Sequence, residues 1–255
     1  MRGAIGLSNS PILVINELTY AFETGKSIFQ KLSIDLKAGE FVSIIGASGS
    51  GKSTLFKLVT GLLEPDEGEI HIHGAVSGSR LGKVGYMPQK DLLLPWKTVM
   101  DNVLLPLEVS KERTQQNVSE AREWLSRFGL ADVEKAYPHE LSGGMRQRAA
   151  FLRTIMTGKE LLLLDEPFGA LDSLTKRNMH SWLLNLWGEL QKTVLFITHD
   201  LEEAILLSDR IYLLKGTGVM ELKVNIPRPR TSDQIYEAEF FEMRKELERL
   251  IQDES

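Results

Sequence analysis

Phe41-Val42-Ser43-Ile44-Ile45-Gly46-Ala47-Ser48-Gly49-Ser50-Gly51-Lys52-Ser53-Thr54 is the stretch on which the fold turns. Its first five residues are apolar or small with no alternation, which suits a strand buried on both faces. Residues 46–53 then fit G-x-x-x-x-G-K-[ST]. In such a turn the glycines let the backbone curl tightly and leave its N–H groups pointing inward. Residues 55–60 read as helix, so Ser53 and Thr54 lie where a helix presents unsatisfied, electropositive N–H groups. The order strand, loop, helix predicts a cradle for the phosphates of a nucleotide. Lys52 is the side chain that reaches the β- and γ-phosphates, and the Ser53 hydroxyl is a ligand for Mg²⁺.

Three further apolar runs resemble the first. Residues 161–164 are four leucines followed by Asp165-Glu166-Pro167, residues 194–197 precede Thr198 and His199, and residues 211–214 precede Lys215. Helical patterns separate several of them, one being Met179, Leu183, Leu186 and Leu190 at spacings of four, three and four. Buried strands alternating with helices predict an α/β fold with a mostly parallel sheet covered on both sides. In such sheets ligands sit beyond the carboxyl ends of the strands. Residues 12–15, 33–36 and 69–72 are short, partly alternating and broken by Gly and Pro, which predicts a small antiparallel lobe. The middle, 90–158, reads as helical, with Thr98, Thr114 and Ser142 at helix starts and Gly129 at a helix end. It interrupts the α/β core. Residues 232–251 form one charged amphipathic helix with Phe240, Met243, Leu247 and Leu250 on its apolar side, after the breaker Pro227-Arg228-Pro229.

Composition narrows the function classes. The formal charge of −5 makes the chain a poor general binder of nucleic acid. With no cysteine, disulfides and thiolate metal sites are excluded. No apolar run approaches the roughly 20 residues needed to span a bilayer. Residues 1–11 lack the continuous apolar stretch of a signal peptide. Action at a membrane would therefore go through a partner.

The polar residues after the strands carry the chemistry. Strand geometry sends Asp165 and Glu166 to opposite faces, so they can do different jobs. Asp165 is read as holding Mg²⁺ through water, and Glu166 as polarising the water that attacks the γ-phosphate. Gln89 can touch Mg²⁺ or that water through its amide oxygen, and His199 can hydrogen-bond the γ-phosphate. Leu141-Ser142-Gly143-Gly144-Met145 is a second capped, glycine-tipped helix start. Two glycines cost a helix about 1 kcal/mol each relative to Ala. The cost makes sense if an anion must approach the backbone, and the γ-phosphate already has a cradle in its own chain. The helix end is therefore read as meeting the nucleotide of a second subunit.

The set Gly46, Ala47, Ser48, Gly49, Ser50, Gly51, Lys52, Ser53 and Thr54, with Gln89, Leu141-Ser142-Gly143-Gly144, the run 161–167, Gly169-Ala170-Leu171-Asp172 and His199, resembles the nucleotide-binding subunit of ATP-binding cassette (ABC) transporters over residues 12–215. The resemblance implies a P-loop NTPase of the ABC ATPase type with a RecA-like parallel-sheet core and ATP and Mg²⁺ as cofactors. One domain would span 1–255, with the core and β lobe at 1–90 and 159–220. The helical subdomain would occupy 91–158 and a helical tail 228–255. Two copies would stack head to tail, each ATP lying between residues 46–53 of one and Ser142, Gly143 and Gly144 of the other, with Asp172 crossing the seam. Glu166, His199, Gln89 and Lys52 would be catalytic. Tyr20 sits where the family has an aromatic that stacks on adenine, with Phe22 as the fallback. Partners would be membrane permease subunits at the cytoplasmic face and, indirectly, an extracytoplasmic substrate-binding protein. Residues 94–103 and 144–150 resemble importers of the nitrate, sulfonate, taurine, thiamine-precursor and riboflavin group. ATPases of exporters, or of DNA repair and translation, share the chemistry and stay open as alternatives.

Overall fold

The structure, a computed structural model, describes residues 11–252 apart from 23, 24, 77, 78 and 191. The leader reading falls on residues that lie outside this set, Pro11 excepted.

Two sheets and seven α-helices make up the described chain. The antiparallel sheet runs β2 (Ser27–Lys37), β1 (Pro11–Ala21), β4 (Glu67–Ile72), β5 (Ala75–Val76). The main sheet runs β10 (Gly218–Lys223), β9 (Arg210–Lys215), β3 (Phe41–Gly46), β8 (Thr193–Ile197), β7 (Leu161–Asp165), β6 (Gly85–Met87). Every pairing in it is parallel except that of β10 with β9. The helices are α1 (Lys52–Thr60), α2 (Val99–Val109), α3 (Gln115–Arg127), α4 (Gly143–Ile155), α5 (Ser173–Leu190), α6 (Leu201–Leu207) and α7 (Ala238–Gln252).

The apolar runs are buried on both faces, as their lack of alternation requires. Leu161 and Leu163 pack with Val42, Ile44 and Leu195 against α1 and the antiparallel lobe. Leu162 and Leu164 point the other way, into a core built with α2 to α5. A third cluster joins Ile45, Ile211 and Leu213 to α6 and α7. Capping side chains set the starts of the middle helices. Thr98 Oγ1 accepts from the Asp101 N–H at 3.2 Å, Thr114 Oγ1 from Asn117 at 3.2 Å, and Ser142 Oγ from Met145 at 3.3 Å. Asn102, fully buried, accepts from the Leu94 N–H and donates to the carbonyls of Leu94, Lys97 and Thr98. It thereby fixes the loop between β6 and α2.

Strands β5, β6 and β10 and helix α6 are additions to the sequence reading, and the tail differs from it. β6 and β10 extend the main sheet at its edges, and β5 extends the antiparallel one. The tail is not one helix from 232: a short 3₁₀ turn, Ser232–Tyr236, precedes α7. Its hydrophobic side is as expected, with Phe240 and Leu247 buried. Arg228 and Arg230 fasten the tail to the core. Arg228 lies 4.2 Å over the Trp187 ring and 2.7 Å from Asp209. Arg230 is buried and donates to the carbonyls of Ile205 (2.8 Å), Ser208 and Ile226 (2.7 and 3.0 Å). Burial pulls its pKa down to about 10, so it stays charged near neutrality. Arg230→Met leaves these carbonyls buried without a donor and is expected to cost about 2–4 kcal/mol. The check is the urea midpoint, and an unchanged value would remove Arg230 as a clamp.

Candidate functional site

The loop 46–53 leaves the end of β3 at the edge where β6, β7 and β8 also end. Two of its glycines are demanded by space as well as by backbone angle. Gly46 has φ 156°, and a Cβ there would lie 2.8 Å from Ser50 Oγ and 2.9 Å from the Leu214 carbonyl. Gly51, the N-cap of α1, has φ 97°, and a Cβ would lie 2.5 Å from Ile28 Cγ2 and 2.8 Å from Phe29 Cζ. Gly49, by contrast, faces open space. Lys52 Nζ donates to the carbonyls of Gly46 (2.9 Å) and Ala47 (3.0 Å). Burial lowers the pKa of its ammonium, against the pull of Glu166 and Asp165.

Asp165 ends β7 as a buried carboxylate that accepts from Ser53 Oγ (3.3 Å) and Tyr86 OH (3.5 Å). Burial raises its pKa, with the Ser53 hydrogen bond opposing. Burial, with Asp165 beside it, pushes the Tyr86 hydroxyl up to about 12, so it remains a donor. Glu166 parts from Asp165 by more than strand alternation. Its backbone is left-handed at φ 44°, and its N–H is held by the Ile197 carbonyl at 2.9 Å. This turn sends its side chain toward Gln89 and His199. Glu166 Oε2 accepts from Gln89 Nε2 at 3.0 Å and lies 3.4 Å from His199 Nδ1.

Lys52, Ser53, Gln89, Glu166 and His199 share a cleft of about 570 Å³, lined also by Phe22, Lys26, Ile28, Gly46, Ser48, Gly49, Gly51 and Thr54, with Asp165 and Tyr86 behind Ser53. Ala47 and Ser50 line a second hollow on the outer side of the loop. The aromatic expectation needs correcting. Tyr20 is 8% exposed and belongs to the core, whereas Phe22 is 42% exposed and faces the cleft, its ring edge-on to Tyr20 at 5.4 Å. A bulge at Asn16 and Glu17, where Glu17 takes φ 46°, changes the parity of β1 and turns Leu18 and Tyr20 inward. Tyr86, Lys26 and Ile28 are site residues that sequence reasoning missed. Only Tyr86 had a signal, as the aromatic three residues before Gln89.

Ser142, Gly143 and Gly144 are not among the residues lining either hollow. Ser142 is exposed at the tip of α4, and Asp172 is exposed at the tip of α5, accepting from the Thr175 N–H at 3.0 Å. The Thr175 hydroxyl first, and that N–H second, lower the pKa of Asp172. Gly144 has a packing reason of its own, since a Cβ would lie 3.0 Å from Thr175 Cγ2.

A family model described as ABC transporter matches residues 29–169. The chain belongs to the ABC transporter family. This ABC subunit is 43% identical over 249 residues to the formylaminopyrimidine import ATP-binding protein ThiZ of Halalkalibacterium halodurans, covering 96% of this chain and 98% of that one. It is 40% identical to the nitrate import ATP-binding protein NrtD of Synechocystis over 87% of each chain. It is 39% identical to the aliphatic sulfonates import ATP-binding protein SsuB of Bacillus cereus over 91% of this chain and 93% of that one. Among solved structures, a dimeric ATP-binding cassette in a post-hydrolysis state bound to ADP and Pi superposes with TM-score 0.72 at 31% identity, covering 84% of this chain and all of that one. The subunit is thus an ATP-binding, ATP-hydrolysing cassette, with an ABC ATPase fold.

The cradle fits the nucleotide. Ser50 Oγ is buried with no hydrogen-bond partner, and the loop is open at Gly49. Ser53 Oγ and Asp165 Oδ1, 3.3 Å apart, are oxygen donors of the kind a hard divalent cation takes. Gly51→Ala combines backbone strain with the clash on Ile28 and Phe29. ATP affinity is expected to fall about tenfold or more, from strain of about 1–3 kcal/mol. Nucleotide titration checks this, and wild-type affinity would show that the loop does not need its present curl.

Proposed function

We propose that this subunit powers the import of a small solute through a partner membrane permease, and that its ATP is hydrolysed in a site shared by two copies. The observation that carries the reading is the single oxygen Glu166 Oε2, set between Gln89 (3.0 Å) and His199 (3.4 Å) at the mouth of the phosphate loop. The half-site so formed holds a carboxylate able to accept a hydrogen bond from an attacking water, but Ser142, Gly143 and Gly144 lie outside it. A second copy, docked head to tail, supplies them.

In this reading residues 46–54 hold the phosphates through backbone N–H groups, and Lys52 turns its ammonium from the carbonyls of Gly46 and Ala47 to the β- and γ-phosphates. Phe22 stacks on adenine, the role given by sequence to Tyr20. Ser53 and Asp165, with the amide oxygen of Gln89, are the residues that would hold Mg²⁺, the last two directly or through water. When bound, the ion supplies charge neutralisation across the phosphate oxygens. Glu166 orients the water and takes its proton, and His199 donates to the γ-phosphate. Asp172 meets its counterpart's site across the seam. Closure on ATP and opening after phosphate release move the helical lobe, residues 91–158, and with it the permease.

No described helix is long and apolar enough to cross a membrane. Attachment at the cytoplasmic face through the permease rests on the likeness to import ATP-binding proteins. The importers among the relatives support cargo of the same kind, a small anion or a vitamin-precursor pyrimidine. An extracytoplasmic binding protein would deliver it. Glu166→Gln keeps the shape and the Gln89 contact but loses the proton acceptor. It is expected to bind ATP, to hydrolyse about 100-fold or more slowly, and to accumulate as an ATP-bound dimer on sizing chromatography. Wild-type turnover would place the base elsewhere.

A further inference from the structure

Behind His199 lies a buried cluster of charge that none of these roles uses. Glu203 of α6 is 2% exposed. Its Oε1 accepts from Lys176 Nζ of α5 at 2.8 Å and lies 3.0 Å from His180 Nε2 of the same helix. Its Oε2 accepts the hydroxyl of Thr198. Thr198 Oγ1 in turn accepts from the Asp200 N–H at 3.0 Å. Lys176 Nζ reaches Asp200 Oδ2 at 2.8 Å, while Asp200 Oδ1 caps α6 through the N–H groups of Glu202 and Glu203. Both chain neighbours of His199 are therefore tied to the Lys176–Glu203 pair, and its ring alone is left exposed toward Glu166.

The same pair holds the other end of the site. Lys176 is in the first turn of α5, and its N–H bonds the Asp172 carbonyl at 2.9 Å. That turn also packs on α4, through Thr175 beside Gly144. Burial by itself would lower the pKa of Lys176, but its bonds to Asp200 and Glu203 outweigh this and raise it. Stability alone does not require the arrangement, because apolar side chains of similar volume can often replace a buried ion pair without loss.

We propose that Lys176 and Glu203 are positioning residues for ATP hydrolysis, locking segment 198–200 to the start of α5 so that His199 is set by the seating of Asp172 at the dimer seam. The inference rests on His199 acting at the γ-phosphate. It assigns the link between the partner-facing tip of α5 and that histidine to a buried ion pair.

The test is steady-state ATP turnover of the full chain carrying Lys176→Met, Lys176→Arg, His199→Ala and the double variant Lys176→Met/His199→Ala, with thermal melts alongside. Lys176→Met is expected to lower kcat about tenfold or more while KM for ATP stays within about twofold. Lys176→Arg restores kcat, because a guanidinium can hold both carboxylates. The double variant is no slower than His199→Ala, because Lys176 acts through that residue. The proposal is overturned if Lys176→Met turns over normally, if Lys176→Arg fails to rescue it, or if the two losses multiply. Should Lys176→Met lose its folded melt, Glu203→Gln, which keeps the volume, is read by the same criteria. Normal turnover by His199→Ala would instead remove the histidine's role, and this proposal with it, while leaving Glu166 in place.

Discussion

Parallel pairing of β3, β8, β7 and β6 is the constraint on which the site depends. Ile44 is level with Ile197, Ile197 with Asp165, and Leu164 with Met87. All four strands run the same way, so their carboxyl ends bring the loop 46–53, His199, Glu166 and Gln89 to one edge of the sheet. Residues far apart in sequence then meet within hydrogen-bond distance, Gln89, Glu166 and His199 each lying within two residues of a strand end. A slip of one residue in any pairing would exchange the two faces of that strand and bury a site residue in the wrong core. The antiparallel lobe and the helices on the far face keep the register by burying the alternate side chains of each strand.

In the proposed reading that edge supplies one half of the phosphate cradle. The helix starts of α4 and α5, with Ser142 and Asp172, face solvent beside one another through the Gly144 and Thr175 contact rather than facing the loop of their own chain. The capped, glycine-tipped start of α4 presents free N–H groups, and in the proposed shared site a phosphate held by another copy would satisfy them. The α4–α5 contact and the charge cluster at Lys176 make one continuous path from that surface to His199.

The α/β core was legible because four of its strands are unbroken apolar runs ending in Gly46, Asp165, Thr198 and Lys215. β6 and β10 were not. β6 has only three residues, and Gly85 in it leaves room for Leu162 across the sheet, since a Cβ would lie 2.8 Å from its Cδ2. β10 is an exposed edge whose one neighbour, β9, decides its existence. The phosphate loop and the acidic pair could be read because their chemistry demands fixed residue types at fixed spacing. Gln89 and His199 are single residues after a strand, with no spacing of their own, and gained their reading from the order of motifs in the family resemblance. Tyr20 and Phe22 could not be ordered, because a bulge in β1 resets which side chains face inward. The Lys176–Glu203 pair has no local pattern at all, being made by the packing of α5 on α6. The tail was misjudged as one helix because periodicity does not report where Thr231 and Gln234 close a 3₁₀ turn first.

Contact between the cradle of one copy and the helix tip of another is the claim that a single measurement can decide. The chain has no cysteine, so Ser48→Cys and Ser142→Cys can be introduced together as its only thiols. Treatment with a short thiol cross-linker, in the presence of Mg²⁺ and a non-hydrolysable ATP analogue, is predicted to join residue 48 of one copy to residue 142 of its twin. Mass spectrometry of mixed light and heavy chains assigns the bond. A linkage confined to single chains, or no nucleotide-dependent dimer, would contradict the shared site.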